Sequence, residues 1–427
     1  MWATLPVLAV SLPLPLTGQA DRPELDGPVE TIDAGSFRVH FTREGADAPS
    51  LVDEDANGRP DLIDAVLAGL HQGEREFAEE EWRALAPDDG RGGSDAIDVY
   101  LRALDINGYA QPVPIGDGSY SCFLQVDNST FTAGSVAESV ALHELHHCVE
   151  YRYSVNVATW LYEAAATYEQ YTHVLDPVLD VGASVLYFTR LTAPQLRLAT
   201  TDGRSEYGAF LWMKFWAEFG GYDPGRLPAL WADLAATTDW EEALDASSRD
   251  TFDLPLSELF LAHSTWNAFA CTRDDQQHYE PDIIPCGADV GVPVTPWDGE
   301  DVSIMHDEGP YTAAYLEAPV ASTGVVTLVC DGARGIRSEL VQLRDQARIG
   351  SMTGGPNQGD PAVWMFAGDT ALATVVGTKD DLDANCHLMV EPGEGVERSS
   401  GGCAVVGGTG LAWWGAWLWL LARRRRT

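Results

Sequence analysis

The chain is 427 residues long, 45% hydrophobic and 21% charged, which allows roughly two to four domains and excludes a mostly disordered or collagen-like protein. Its 65 acidic against 26 basic residues give a formal net charge of -39, and neither residues 1–20 nor residues 403–427 hold any acid. A body this acidic repels phosphate backbones, so nucleic acid is excluded as a natural partner and divalent cations are favoured.

Residues 2–17 form an uncharged apolar run that ends in Gly18, Gln19 and Ala20, the pattern a signal peptidase reads, so residues 1–20 are predicted to be a signal peptide. A buried N-terminal strand is the competing reading, because no positive charge precedes the run. Residues 21–34 read as a linker. The alternation at 36–42 predicts a strand, the spacing from Leu62 to about Leu85 a helix, and the runs 96–101 and 120–127 two further strands. Helical patterns then dominate from Ser135 to about Tyr171 and from Glu206 to Phe269, broken at Gly220-Gly221 and Pro224-Gly225. Beyond residue 300 the pattern changes to short β-branched runs at 311–317, 324–330, 363–366 and 371–377. The predicted fold class is therefore α+β over residues 35–300, with a β-sandwich appended at 301–394 and a short linker at 395–402.

Residues 53–64, DEDANGRPDLID, follow the twelve-residue EF-hand calcium-loop pattern. Calcium takes oxygen ligands, here the side chains of Asp53, Asp55, Asn57, Asp61 and Asp64 and the backbone carbonyl of Arg59, with Gly58 at the sharp turn. Asp64 stands where EF-hands usually carry the longer Glu. A solvated Asx-rich turn is the plain alternative. The predicted role of calcium is structural.

His143-Glu144-Leu145-His146-His147 is an HExxH sequence, and Ser135 with Glu138 supplies a capping box upstream, so the segment is predicted to be helical. His143 and His147 at i and i+4 then project from one face, one turn apart, as two imidazoles on one tetrahedral zinc require. Glu144, rotated by about 100°, comes beside the metal as a general base. Glu163 is the candidate third ligand, on a second helical stretch whose Ala164, Ala165 and Ala166 allow close packing. Two histidines and a glutamate leave one coordination position for water, the catalytic arrangement. His146, also about 100° off the ligand face, and Glu169 are expected near the site or at the surface; Phe210, Trp212, Phe215 and Trp216 in the core; and Glu79 to Glu81 on a solvated face.

HExxH followed by a glutamate on a second helix resembles the gluzincin metallopeptidases. More narrowly, the order of strand, D-x-D-x-N-G loop, HExxH, Trp160-Leu161-Tyr162-Glu163-Ala164 and Tyr207-Gly208-Ala209-Phe210-Leu211-Trp212 resembles a family of secreted proteins common in myxobacteria and classed as metalloproteases, over about residues 35–270. The resemblance implies a zincin-like domain with zinc on His143, His147 and Glu163 and Glu144 catalytic. Tyr207 is the candidate oxyanion donor, with ordinary aromatic packing as its alternative.

Seven cysteines occur, and the six in the body suit disulfides in an oxidising compartment. Nearest-neighbour pairing gives Cys122–Cys148, Cys271–Cys286 and Cys330–Cys386. The seventh, Cys403, directly precedes an uncharged apolar stretch of membrane-spanning length, Ala404 to Ala422, closed by Arg423 to Arg426. That tail resembles the MYXO-CTERM sorting signal. The resemblance implies export and sorting machinery as partners, processing near Cys403, contact with the membrane through the tail, and a product held at the cell surface or released; a plain single-span anchor is the alternative.

The expected function is an exported zinc endopeptidase acting on protein or peptide substrates, stabilised by calcium. Two other readings stay open: a catalytically silent surface-binding protein built on the same scaffold, and a hydrolase of an amide other than a peptide bond.

Overall fold

The computed structural model describes residues 21–115, 119–128, 134–174, 189–279, 290–296, 310–319, 324–331, 335–344, 347–354, 362–366, 370–378 and 385–392. The predicted signal peptide, the sorting tail with Cys403, and Cys286 lie outside them. Among the described residues no helix is long and apolar enough to cross a membrane.

The protein is mixed α+β. Its first sheet has the order β1-β2-β3-β5-β4, built from Val29–Ala34, Phe37–Thr42, Ile97–Arg102, Tyr120–Asp127 (β5) and Gly108–Pro114 (β4). β2, β3 and β5 run parallel at its centre, and β1 and β4 pair antiparallel at the two edges. The central strands alternate: Phe37, Val39, Phe41, Ile97, Val99, Leu101, Leu124 and Val126 join the apolar core on one face, while the other face buries polar groups such as His40, Asp98 and Gln125. α1 (Asp61–Glu79) crosses from β2 to β3, and α2 (Gly134–Tyr151) leaves β5 to pack against α1. That packing is close enough to need a glycine: a Cβ on Gly69 would stand 2.1 Å from the carbonyl oxygen of Glu138. A disulfide between Cys122 on β5 and Cys148 on α2 ties helix to sheet, the first of the three expected pairs. Cys271 is also disulfide-bonded.

α3 (Thr159–His173) lies against α2, followed by the short α4 (Thr189–Thr192) and α5 (Ser205–Gly208), then α6 (Phe210–Glu218), α7 (Arg226–Leu234), α8 (Trp240–Phe252) and α9 (Leu256–Ala268). The aromatic run of α6 is wholly buried, as its spacing predicts. A second mixed sheet has the order β10-β9-β12-β7-β6, from Ala347–Gly354, Ile336–Arg344, Thr370–Gly377, Thr312–Pro319 and Val294–Pro296. It packs on α9, where Thr265 donates to Glu339 at 2.7 Å and the Tyr315 hydroxyl to the Ser264 carbonyl at 2.8 Å. A three-stranded antiparallel sheet, β11-β8-β13 (Ala362–Phe366, Gly324–Asp331, Asn385–Pro392), sets Cys330 and Cys386 opposite each other in register.

Three differences from the sequence expectations have physical causes. Residues 21–34 are not a free linker: β1 extends the sheet, and Arg22 forms ion pairs with buried Asp88 and, at 2.9 Å, Asp98, while its guanidinium lies over Phe123. Asp98 also holds His40 at 2.7 Å. β4 carries two prolines, which hide a strand from propensity reasoning and which only an edge tolerates. β6, at Val294–Pro296, pairs with β7, so the second sheet begins before residue 301.

Burial, reinforced by neighbouring Asp98 and opposed by Arg22, pushes Asp88 up to about 6. Arg22→Ala is expected to cost about 3 kcal/mol at pH 8, because it leaves buried carboxylates without their cation. The cost shrinks near pH 5, where Asp88 carries a proton and needs no cation. Urea unfolding at the two pH values checks both the size and the direction.

Candidate metal centre

The α2–α3 contact is built from helix faces that should be apolar and are not. Ala164, Ala165 and Ala166 are buried and let the helices approach, so Glu163 reaches across to α2. Its Oε2 lies 3.4 Å from Nε2 of His143 and 3.8 Å from Nε2 of His147. The two imidazoles stand perpendicular with centroids 4.9 Å apart. The three predicted zinc ligands are thus brought together and buried, each offering a ligand atom within 4.8 Å of the others.

Two residues the sequence reading passed over orient the imidazoles. Nδ1 of His143 lies 3.1 Å from Oε1 of Gln170, whose amide nitrogen donates to Ser139 at 2.6 Å, and Nδ1 of His147 lies 2.7 Å from Oε2 of Glu150. Donation outward through Nδ1–H would leave each Nε2 lone pair free for a metal beside Glu163, the arrangement metal-binding histidines use. Both residues were legible as spacings: Gln170 is two turns beyond Glu163, and Glu150 is three residues after His147.

The donor set fits a zinc ion. Glu163 Oε2 is buried without a hydrogen-bond partner, between two imidazole nitrogens. Burial pushes His147 down to about 3, so it is neutral and can ligate. Burial alone would raise Glu163, but hydrogen bonds and charge from His143, His147 and Tyr207 hold it below the usual carboxylate range. Burial also dominates at Glu144, which with help from Glu163 is pushed up to about 8, against the opposing effects of His143 and the Ala110 amide. A dication beside Glu144 would pull it back toward ionisation.

Glu144 is fixed by β4. The outward amide of Ala110 donates to its carboxylate, and the neighbouring Ala110 carbonyl accepts from the Tyr151 hydroxyl at 3.2 Å. Its Oε2 is buried and unpartnered, beside the ligand group but not in it. Tyr207 opens onto the same point: its ring centroid is 6.2 Å from that of His143, and its hydroxyl hydrogen-bonds Glu163. It is held there by α5, whose start is tied down by Glu206 accepting from the amides of Asp202, Gly203 and Arg204. His146, expected near the site or on the surface, is fully buried, because α1 covers that face of α2 and Phe77 of α1 and Trp82 just beyond it lie edge-on to its ring. Glu169 is buried for the same reason, and so is Glu80 of the acidic run expected to be solvated.

The predicted calcium loop leads into α1. Asp53, Asp55 and Asp61 offer oxygens within 4.8 Å of one another. Asn57 and Gly58 donate backbone amides to Asp53 at 3.0 and 2.9 Å, and Gly58 takes the left-handed φ of 88° that its position requires. Asn57 bridges Asp55 and Asp64 through its side-chain amide. Asp64 is drawn aside by the Arg59 guanidinium at 2.8 Å and stands outside the converged group of Asp53, Asp55 and Asp61.

No protein-family profile and no curated protein matches the chain. Among solved structures it is similar to the pre-peptidase C-terminal domain of a collagenase from Bacillus anthracis, at 14% identity and TM-score 0.18, over 23% of this chain and 95% of that one. A likeness at that score carries no argument about fold or function.

Two outcomes follow from this geometry. A Cβ on Gly108 would stand 3.0 Å from Cγ of Glu144 and 3.0 Å from the Gln125 carbonyl, so Gly108→Ala displaces Glu144 but no ligand. Zinc content should stay unchanged while turnover of any substrate drops about 10²-fold. At a hundredfold excess over its Kd, calcium should stabilise the wild type by about 2.7 kcal/mol and Asp55→Ala by nearly nothing, as read from thermal melts with and without the ion.

Proposed function

We propose that the protein is an exported zinc-dependent endopeptidase of the cell surface, with a zincin-like domain of gluzincin type and a β-sandwich after it. The observation that carries this is the convergence of His143, His147 and Glu163 in one buried group, with an unpartnered carboxylate oxygen of Glu144 beside them. A scaffold that only bound partners would have no physical reason to bury that oxygen unpaired.

Zinc held by the three ligands would supply Lewis-acid polarisation and an acidified water. The protein's own residues do the rest. Glu144 takes the proton of the attacking water at its free Oε2 and returns it to the leaving amine, while the Ala110 amide fixes its other side. Gln170 and Glu150 keep both imidazoles in the tautomer that ligates. Tyr207 turns its hydroxyl from Glu163 to the oxyanion as charge develops there. Calcium on the loop before α1 stiffens the helix against which α2 packs. Export through residues 1–20 and sorting at Cys403 give the disulfides their oxidising compartment.

The test is zinc content and peptide-library cleavage by the full-length protein in calcium, wild type beside Glu144→Ala. Both should hold zinc, and Glu144→Ala should lose about 10²–10⁴-fold in cleavage rate. A wild type that holds zinc and cleaves no peptide would sink the peptidase reading in favour of a surface-binding protein or an amidase of another kind.

A further inference from the structure

We propose that Glu80, Glu169 and His173 form a second divalent-cation site, with the buried, unpaired His146 imidazole beside it, for a transition-metal ion of the zinc or cobalt class. The site lies on the other flank of the α2–α3 pair. α1 ends there, with Glu80 as the residue that closes it, and the last turns of α3 bring Glu169 and His173 onto one face. Nε2 of His173 is 3.1 Å from Glu80 Oε1 and 3.1 Å from Glu169 Oε2, and one ligand atom from each residue lies within 4.8 Å of the others.

Geometry and unsatisfied atoms both point to a cation. A single ring nitrogen faces two buried carboxylates that also hydrogen-bond each other, while Glu76 approaches the other nitrogen at 3.8 Å. Among the described residues no lysine or arginine forms an ion pair with Glu80 or Glu169, so His173 is the basic side chain that the two carboxyl groups share. Independently, Glu169 Oε1 and both ring nitrogens of His146 are buried with no hydrogen-bond partner, and Nε2 of His146 stands 4.0 Å from that oxygen. This is too long for a hydrogen bond. It is within about half an ångström of the edge, roughly 3.4 Å, that two ligands share on a tetrahedral zinc. Packing against Phe77 and Trp82 explains why the His146 ring is buried but not why its nitrogens are left unpaired.

Imidazole with carboxylate selects the zinc and cobalt class over calcium, which takes oxygen ligands. Access runs past His173, which is only partly buried, and Tyr222, which is 56% exposed and feels the charge of both glutamates. An ion here would pin the end of α1 to the end of α3 with α2 between them.

The test uses Co²⁺ on the full-length protein in excess calcium, which occupies the acidic loop. Cobalt is counted by elemental analysis after dialysis and followed by its visible absorption. Glu80→Gln, which keeps the side-chain shape, and His173→Ala should each lower bound cobalt by about one equivalent relative to wild type. The same loss should appear in a His143→Ala/His147→Ala background, so the outcome does not depend on the proposed catalytic site. Cobalt content unchanged by Glu80→Gln in a chain with wild-type circular dichroism would overturn the site, as would no cobalt bound by a folded His143→Ala/His147→Ala protein.

Discussion

The interface between α2 and α3 buries His143, Glu144, His146, His147, Glu150, Glu163 and Glu169, each at most 7% exposed. Taking so many ionisable groups from water is tolerable only if each is neutral, paired or bound to a cation. Burial accordingly drives His146 and His147 toward neutrality and raises Glu144, Glu150 and Glu169. Glu163 alone of these carboxylates is held low, because two imidazoles and Tyr207 face it. The fold can be understood as what is needed to hold this polar interface closed.

Three constraints hold it. The parallel strands β2, β3 and β5 give α1 and α2 a shared apolar floor, and Cys122–Cys148 locks α2 to it near the ligands. By the usual loop-entropy account, a 26-residue separation is worth about 3.5 kcal/mol. Gly69 lets α1 descend onto α2 until backbone nearly meets backbone, and α1 then covers His146. On the other side, α6 packs its aromatic face under α3 and fixes the height at which Tyr207 enters. β4 then closes the front, using its outward Ala110 groups to hold Glu144 and Tyr151 rather than leaving them to water.

How much of this was legible depended on how local the determinant was. The i, i+4 pair of His143 and His147, the glycine of the acidic loop and the alternation of β2, β3 and β5 are set by helical, turn and strand periodicity within a few residues, and they stand where the sequence puts them. Glu163 could be named because a second helix with three alanines has few other reasons to carry a glutamate on that face. β4 was missed because its prolines and glycine obey an edge-strand rule that needs the sheet to be known first. β9, β10 and β13 were missed because their apolar alternation is weak. The burial of Glu80 was illegible for a different reason: within α1 it closes a charged run, and only the arrival of His173, far along the chain, turns it inward.

The spacing after the zinc signature also explains how one helix can serve both of its flanks. At 100° per residue, His146 and His147 diverge by 100°, and Glu150 falls at an angle between them. From that position its Oε2 lies 2.7 Å from His147 Nδ1, while its Oε1 comes to 3.4 Å from His146 Nδ1 without a hydrogen bond. Had the acid stood one residue later, it would have faced the catalytic side alone; one residue earlier, it would have pointed away from His147. A single buried Glu, at i+3 from His147 and i+4 from His146, therefore stands between the two flanks of α2, bonded to the His147 ring and only near the His146 ring.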